Sequence, residues 1–402
     1  MKQLRRITER FVQGILTLSG SITSLAILLI VIFLFKEGFG LFQNSEIEKG
    51  YVLCLHISNP VERIHSKQVK AIFDSEITNW QDLGGKNEEI KLFRFEEIFS
   101  IYPEEEMGED YALLPQKLGE VIEQNPSIIA FLPERYLPAK NKSVKTLPTN
   151  NVDLLDFFGG KEWMPTSTPA PQFGTLPLIL GTLWVSIFAI LIALPLGLGV
   201  AIYMSELANE RIRKWLKPTI ELLAGIPSVV YGFFGLAMLV PLIQNTLHLQ
   251  VGETALTGSL ILAIMALPTI ITIAEDAMRN TPQAMREASL ALGATHWQTI
   301  YNVIIPYAAS GITAAVVLGI GRAIGETMAV LMVTGNAAVM PHSLFEPVRT
   351  IPATIAAELG EAPMGGTHYQ SLFLLGCILF IINMIINISA EMISKNQPSR
   401  GM

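Results

Sequence analysis

Long apolar runs, broken by polar connections, dominate this chain. Six runs are long enough to cross a bilayer at about 1.5 Å rise per residue. They lie near 14–35, 178–204, 219–244, 256–275, 308–335 and 371–393. The first is too long for a secretory leader and lacks a small-residue cleavage site after it, so an uncleaved anchor is expected. Between the first and second runs lies a polar segment, 41–170, rich in turn formers. Within it, Tyr51 to Ile57 and Ser127 to Leu132 read as strands, and Val61 to Phe73 and Leu113 to Glu123 as helices. The pattern predicts an all-α, six-span membrane protein with one external α/β insert.

Composition agrees. Of 402 residues 50% are hydrophobic and only 16% charged. The net charge of −7 is unevenly placed: 36–175 holds 14 Lys/Arg against 22 Asp/Glu, or −8, leaving +1 elsewhere. Nothing is basic enough to suggest nucleic acid. Cys54 and Cys377 lie in different regions, and the six histidines show no ligand spacing, so no disulfide, metal or cofactor is implied. Basic residues predict the orientation. Lys2, Arg5, Arg6 and Arg10 precede the first span. Arg211, Arg213, Lys214 and Lys217 crowd the second connection, Arg279 and Arg286 the fourth, and Lys395 and Arg400 the tail. The connection at 245–255 has no Lys or Arg, and 336–370 has only Arg349. Both termini are therefore expected in the cytoplasm and the insert outside.

Two segments carry candidate chemistry. The first is the fourth connection. Thr281 is placed to cap a helix with Pro282 at its first position. Gly293 suits the left-handed residue that ends that helix, and Thr295 with Gln298 has capping-box spacing for the next. Two short helices joined by a sharp turn are expected. The second segment, Gly321-Arg322-Ala323-Ile324-Gly325-Glu326-Thr327, lies in the fifth run. A charged side chain near mid-membrane costs about 2.5–3.5 kcal/mol even on the lenient insertion scale. Spacing of i, i+4 puts Arg322 and Glu326 on one helix face, where each can partly neutralise the other. Gly321 and Gly325 form a GxxxG pair that would admit a neighbouring helix. A buried packing ion pair is one reading; a guanidinium lining an anion route is the other, since its planar fork binds two oxygens and never deprotonates. Ser228, Tyr231 and Thr327 are further candidates for that route. Glu275 and Asp276, at the end of the fourth run, are expected to meet solvent.

The fourth connection resembles the EAA loop of ATP-binding-cassette importer permeases, in which Glu-Ala-Ala, three residues, Gly, nine residues and Ile-x-Leu-Pro form the coupling helix. Glu287, Ala288, Gly293, Val303, Ile305 and Pro306 fall in register, with Ser289 in place of the second Ala. The resemblance implies that 279–306 docks in a separate ATPase subunit. Gly-Arg-Ala-Ile-Gly-Glu-Thr-Met at 321–328 is similar to the charged span of phosphate-specific permeases of the PstC type. Gly225 to Gly232, Thr350 to Ala356 and Phe33 to Gly38 agree. This likeness covers 1–40 and about 172–402. It implies inorganic phosphate as cargo, passing Arg322, Glu326, Thr327 and Ser228. The implied partners are a second permease of the PstA type, two ATPase subunits and an extracytoplasmic phosphate-binding protein. The chain has no P-loop of its own and is read as a transport subunit, not an enzyme. Another oxyanion (sulfate, molybdate or phosphonate) and a membrane phosphate sensor or scaffold are the alternatives.

The insert departs from that pattern by its size. Lys67 to Gly85 is similar to a segment of periplasmic phosphate-binding proteins, roughly IFxGxITNWxDxGG, and Pro126 to Tyr136 to a later strand. The Gly-Ser-Gly-Thr anion loop expected after Ile90 is missing; Arg94 is followed by Phe95, Glu96 and Glu97, which would repel an anion. The resemblance implies a partial lobe without its binding loop, docking the true binding protein or covering the outer mouth.

Overall fold

A computed structural model describes residues 2–395, except 46, 48–49, 139–140 and 149–150. Arg400 and the side chains of Lys2, Arg5, Arg6, Arg10 and Lys395, used above for orientation, lie outside the described residues. Packing divides the chain into two units, Met1–Gly174 with Ala362–Ser371, and Thr175–Glu361 with Leu372–Met402.

The first unit begins with a helix, Lys2–Phe39, that supplies the first candidate span, Val12–Gln43. Leu16, Leu25, Ile30 and their neighbours are exposed along it, as suits a helix meant for lipid. The insert follows. Its sheet has the order β2-β3-β1-β4, with β1 at Tyr51–His56, β2 at Lys91–Arg94, β3 at Ile128–Pro133 and β4 at Val144–Thr146. β1 runs antiparallel to β3 and β4, and β2 parallel to β3. Alternation along β1 feeds two cores. Leu53 and Leu55 pack with Val69, Ile72 and Trp80; Cys54 packs with Phe93, Leu118 and Ile122. Helices therefore cover both faces of the sheet: Ser66–Phe73 on one and Leu114–Gln124 on the other. Burial holds the Cys54 thiol up at about 12, so it stays protonated. Trp80 is buried, and its indole nitrogen donates to the Ser127 carbonyl at 2.8 Å.

Both expected strands and the second helix of the insert are present. The first helix starts at Ser66 rather than Val61. His65 and Gln68 close a capping box there, and the Lys145 ammonium donates to the Val61 carbonyl at 2.8 Å, holding the preceding residues out of a helix. β2 and β4 are additional; at four and three residues they leave little periodicity to read. So is a two-residue ladder between Trp163–Met164 and Gln172–Phe173.

Among the described residues, six helices are long and apolar enough to cross a membrane. The second unit carries spans two to five: Leu176–Leu207, Ser228–Leu247, Ala255–Arg279 and His296–Ile324. The sixth span is Thr367–Ser389. Span four is central, and Ile270 on it receives Gly197 of span two and Gly319 of span five. A Cβ at either glycine would lie 2.8–2.9 Å from the Ile270 side chain. Close approach is therefore made at Gly319, whereas Gly321 of the GxxxG pair faces open space.

Spans three and five differ most from expectation, and span five starts at His296 rather than near 308. Residues 219–224 belong to an amphipathic helix, Glu210–Ala224, that precedes span three. Gly225-Ile226-Pro227 separates them, because proline disfavours a helical residue before it and cannot donate to the preceding turn. Span five ends at Ile324, not near 335; Gly325 turns the chain and a short helix, Met328–Val333, follows.

Candidate functional site

Arg322 sits in the last turn of span five, three residues before the break. Glu326 lies beyond that break, so the expected i, i+4 pair does not form. Instead its carboxylate accepts from the backbone amides of Thr327 (3.1 Å) and Ala329 (3.4 Å), capping the short helix. Arg322 is half-buried and makes no hydrogen bond or ion pair among the described residues. The Tyr231 hydroxyl donates to the Leu223 carbonyl at 2.9 Å, bridging the Gly225–Pro227 break. Ser228 opens the helix Ser228–Phe234, one turn ahead of Tyr231, half-exposed and without a hydrogen bond among the described residues. That helix packs on Met328–Val333, where a Cβ on Gly232 would meet Ala329 Cα at 3.0 Å. Thr327 donates to the Gly325 carbonyl at 3.3 Å and lines an open groove of about 510 Å³ with Pro352, Ile355, Ala356 and Leu359. Arg322, Ser228 and Thr327 thus lie on elements that pack together, with no hydrogen bond directly joining them.

The fourth connection folds as a helical hairpin. The helix Gln283–Ala291 holds Glu287 and Ala288 on an exposed surface. Its first flanking residue is Pro282, and no side chain caps it. Thr281 is instead buried, its hydroxyl without a hydrogen-bond partner among the described residues. Gly293 has φ of +87°, which L side chains rarely adopt. The amides of Gly293 and Ala294 donate to the carbonyls of Leu290 (3.0 Å) and Ser289 (3.2 Å), the paired bonds of a Schellman stop. Thr295 and Gln298 then form the expected capping box. A π turn, Ile300–Ile304, leads into the main helix of span five with Pro306 in its first turn, where a missing N–H is tolerated. Ser289 and Thr299 hydroxyls, 2.9 Å apart, join the two arms. Leu292 is 89% and Trp297 63% exposed at the tip, an apolar knob that water does not favour.

Charges beneath the hairpin are paired. Arg286 grips Glu206 with bonds of 2.8 and 2.6 Å and donates to the Met278 carbonyl at 2.8 Å. Glu275, expected in solvent, is 0% exposed, whereas Asp276 is exposed. Lys217 reaches both, at 2.8 Å and 3.0 Å, and Arg279 lies 3.5 Å from Glu275. The bond to Glu275 raises the Lys217 pKa most, against desolvation that lowers it. Sequence reasoning missed Glu206 and the burial of Glu275. The available signal was a carboxylate at the end of each apolar run, with a basic residue in a neighbouring connection.

Known proteins place this architecture. A family described as "Binding-protein-dependent transport system inner membrane component" matches residues 193–397, and the chain belongs to that family. It is a multi-pass membrane permease of the ATP-binding-cassette importer class. It is 41% identical over 256 residues to "Probable ABC transporter permease protein YqgH" of Bacillus subtilis (strain 168), covering 64% of this chain and 82% of that protein. It is 41% identical over 249 residues to "Phosphate transport system permease protein PstC" of Mesorhizobium japonicum, covering 57% and 75%. Among solved structures, the MetNI methionine ABC transporter in inward-facing form aligns at 18% identity with a TM-score of 0.43, covering 54% of this chain and 93% of that one.

Proposed function

We propose that this chain is the permease subunit of an ATP-driven importer of inorganic phosphate. Arg322 carries the reading. It is a permanent cation within an apolar span, released from Glu326 and free of other ion pairs among the described residues. A guanidinium with open donors favours a dianionic tetrahedral oxyanion over neutral or cationic cargo. The relatives named as phosphate transport permeases support the same cargo.

In this reading Arg322, Thr327 and Ser228 line the route, and Glu326 sets the break that exposes them. The hairpin 279–306, through Glu287, Ala288, Gly293 and Pro306, docks in one of two separate ATPase subunits. A second permease of the PstA type completes the route, and a phosphate-binding protein delivers cargo from outside. Both termini lie in the cytoplasm of a multi-pass inner-membrane protein, and the insert at 41–170 is extracytoplasmic. There it docks the binding protein or covers the mouth without itself gripping phosphate.

Uptake of labelled phosphate by proteoliposomes holding the assembled complex tests this. Saturable, ATP-dependent uptake that excess sulfate, molybdate or phosphonate leaves intact is expected. Uptake abolished by one of those anions reassigns the cargo. Phosphate-dependent signalling without uptake makes the chain a sensor instead.

A further inference from the structure

The hairpin helix Gln283–Ala291 has no buried residue among those described, so hydrophobic burial does not set its orientation. Polar ties must do so: Ser289 joins Thr299 within the hairpin, and the ties to the spans converge on one side chain. Arg286 is less than one quarter exposed, and its partner Glu206 only 8%. Its Nη1 lies 2.8 and 2.6 Å from the two Glu206 oxygens. Nη2 donates to the Met278 carbonyl at 2.8 Å and Nε to the Thr281 carbonyl at 3.4 Å. Glu206 sits in a single π turn, Tyr203–Leu207, that ends span two. Next to it, Ser205 Oγ lies 3.5 Å from Met278 Sδ. One guanidinium therefore joins the hairpin, the end of span four and the end of span two, which is 80 residues away in sequence from Arg286.

We infer that Arg286 and Glu206 form a clasp that makes the hairpin and the end of span two move as one body. Backbone continuity already links the hairpin to spans four and five. Span two has no backbone link; it packs on span four, and the clasp adds a direct polar tie to the hairpin itself. Single π turns of this kind recur at functional sites in helices. Short charge-assisted bonds from one guanidinium nitrogen to both Glu206 oxygens, with the second nitrogen held by Met278, can carry displacement to that turn. The pair acts by position, passing hairpin displacement to the helix that packs most extensively on span four. The inference rests on the coupling role proposed above for what drives the hairpin.

The test uses the full complex with its binding protein and compares Glu206→Gln with the parent chain. ATPase subunits should still copurify and basal ATP hydrolysis should stay within about twofold. Phosphate moved per ATP should fall about tenfold, the factor for losing one charge-assisted tie. Arg286→Lys, which keeps the charge but not the fork, should fall between the two. Unchanged transport per ATP overturns the clasp. Loss of the ATPase subunits also overturns it, because the pair would then serve only the hairpin's own fold. A second measurement is independent of cargo: in the purified chain, Glu206→Gln should speed amide hydrogen exchange in both 203–207 and 283–291. Faster exchange confined to 283–291, or none, contradicts a joint body. Should the parent complex hydrolyse ATP but move no phosphate, the cargo assignment is wrong while this exchange result still decides the clasp.

Discussion

Two cations of the membrane unit, Arg286 and Arg322, are treated in opposite ways. Arg286 is saturated: a carboxylate and two carbonyls take its donors. Arg322 has neither hydrogen bond nor ion pair among the described residues, although a carboxylate stands four residues away in sequence. A break at Gly325 turns that carboxylate to the amides of Thr327 and Ala329. Leaving a cation unpaired in an apolar span costs free energy that a packing role would not require. Satisfied charges such as Arg286 and Lys217 act as joints between elements; in the function proposed above, Arg322 is kept for a visiting anion.

The strongest way to break this comparison is to turn a joint into an orphan. Lys217→Met leaves Glu275 fully buried with only Arg279 nearby, and should destabilise the chain by about 3–5 kcal/mol. Thermal unfolding in detergent measures it. The double change with Glu275→Gln should recover most of that loss; no recovery would mean that Lys217 matters by packing alone. The sign with pH follows. Because the folded Lys217 pKa is raised, the pair's contribution is full below the unfolded value near 10.5 and is lost as pH climbs through the raised one. Stability of the parent should therefore drop at strongly alkaline pH more steeply than that of the double variant.

Arg322→Ala should behave in the reverse way. Uptake should fall at least about 100-fold, as removal of about 3 kcal/mol of anion binding implies. Unfolding temperature should hold or rise, because no partner is orphaned. Loss of stability or assembly would return Arg322 to a packing role. Gly293→Val is the mildest case. A β-branched residue at φ of +87° costs about 1–2 kcal/mol. That strain should uncouple the ATPase while leaving the spans folded. Normal uptake by this variant would remove the coupling assignment from the hairpin.

Much of this architecture was legible in the sequence, and unevenly so. Hydropathy gave all six spans, since bilayer thickness fixes helix length. The hairpin was readable because Gly293, Thr295 and Gln298 satisfy backbone groups within their own turn. Thr281 was misplaced by one position, since Pro282 takes the flanking geometry itself. The end of span five was not readable: Gly-Arg-Ala-Ile-Gly-Glu contains no proline, and the break shows only where Glu326 meets amides ahead of it. Glu275 was misjudged for a similar reason, as its partner Lys217 lies 58 residues away on another helix. Local codes were legible, and long-range charge pairing was not.

The availability of Arg322 is best tested at its neighbour Thr327, in a chain with Cys54 and Cys377 replaced and Thr327→Cys introduced. The rate of modification by a charged methanethiosulfonate is measured in the assembled transporter, with and without phosphate. Phosphate should slow modification when Arg322 is present and have no effect once it is alanine. A rate that phosphate leaves unchanged in both backgrounds, or slows equally in both, contradicts the account.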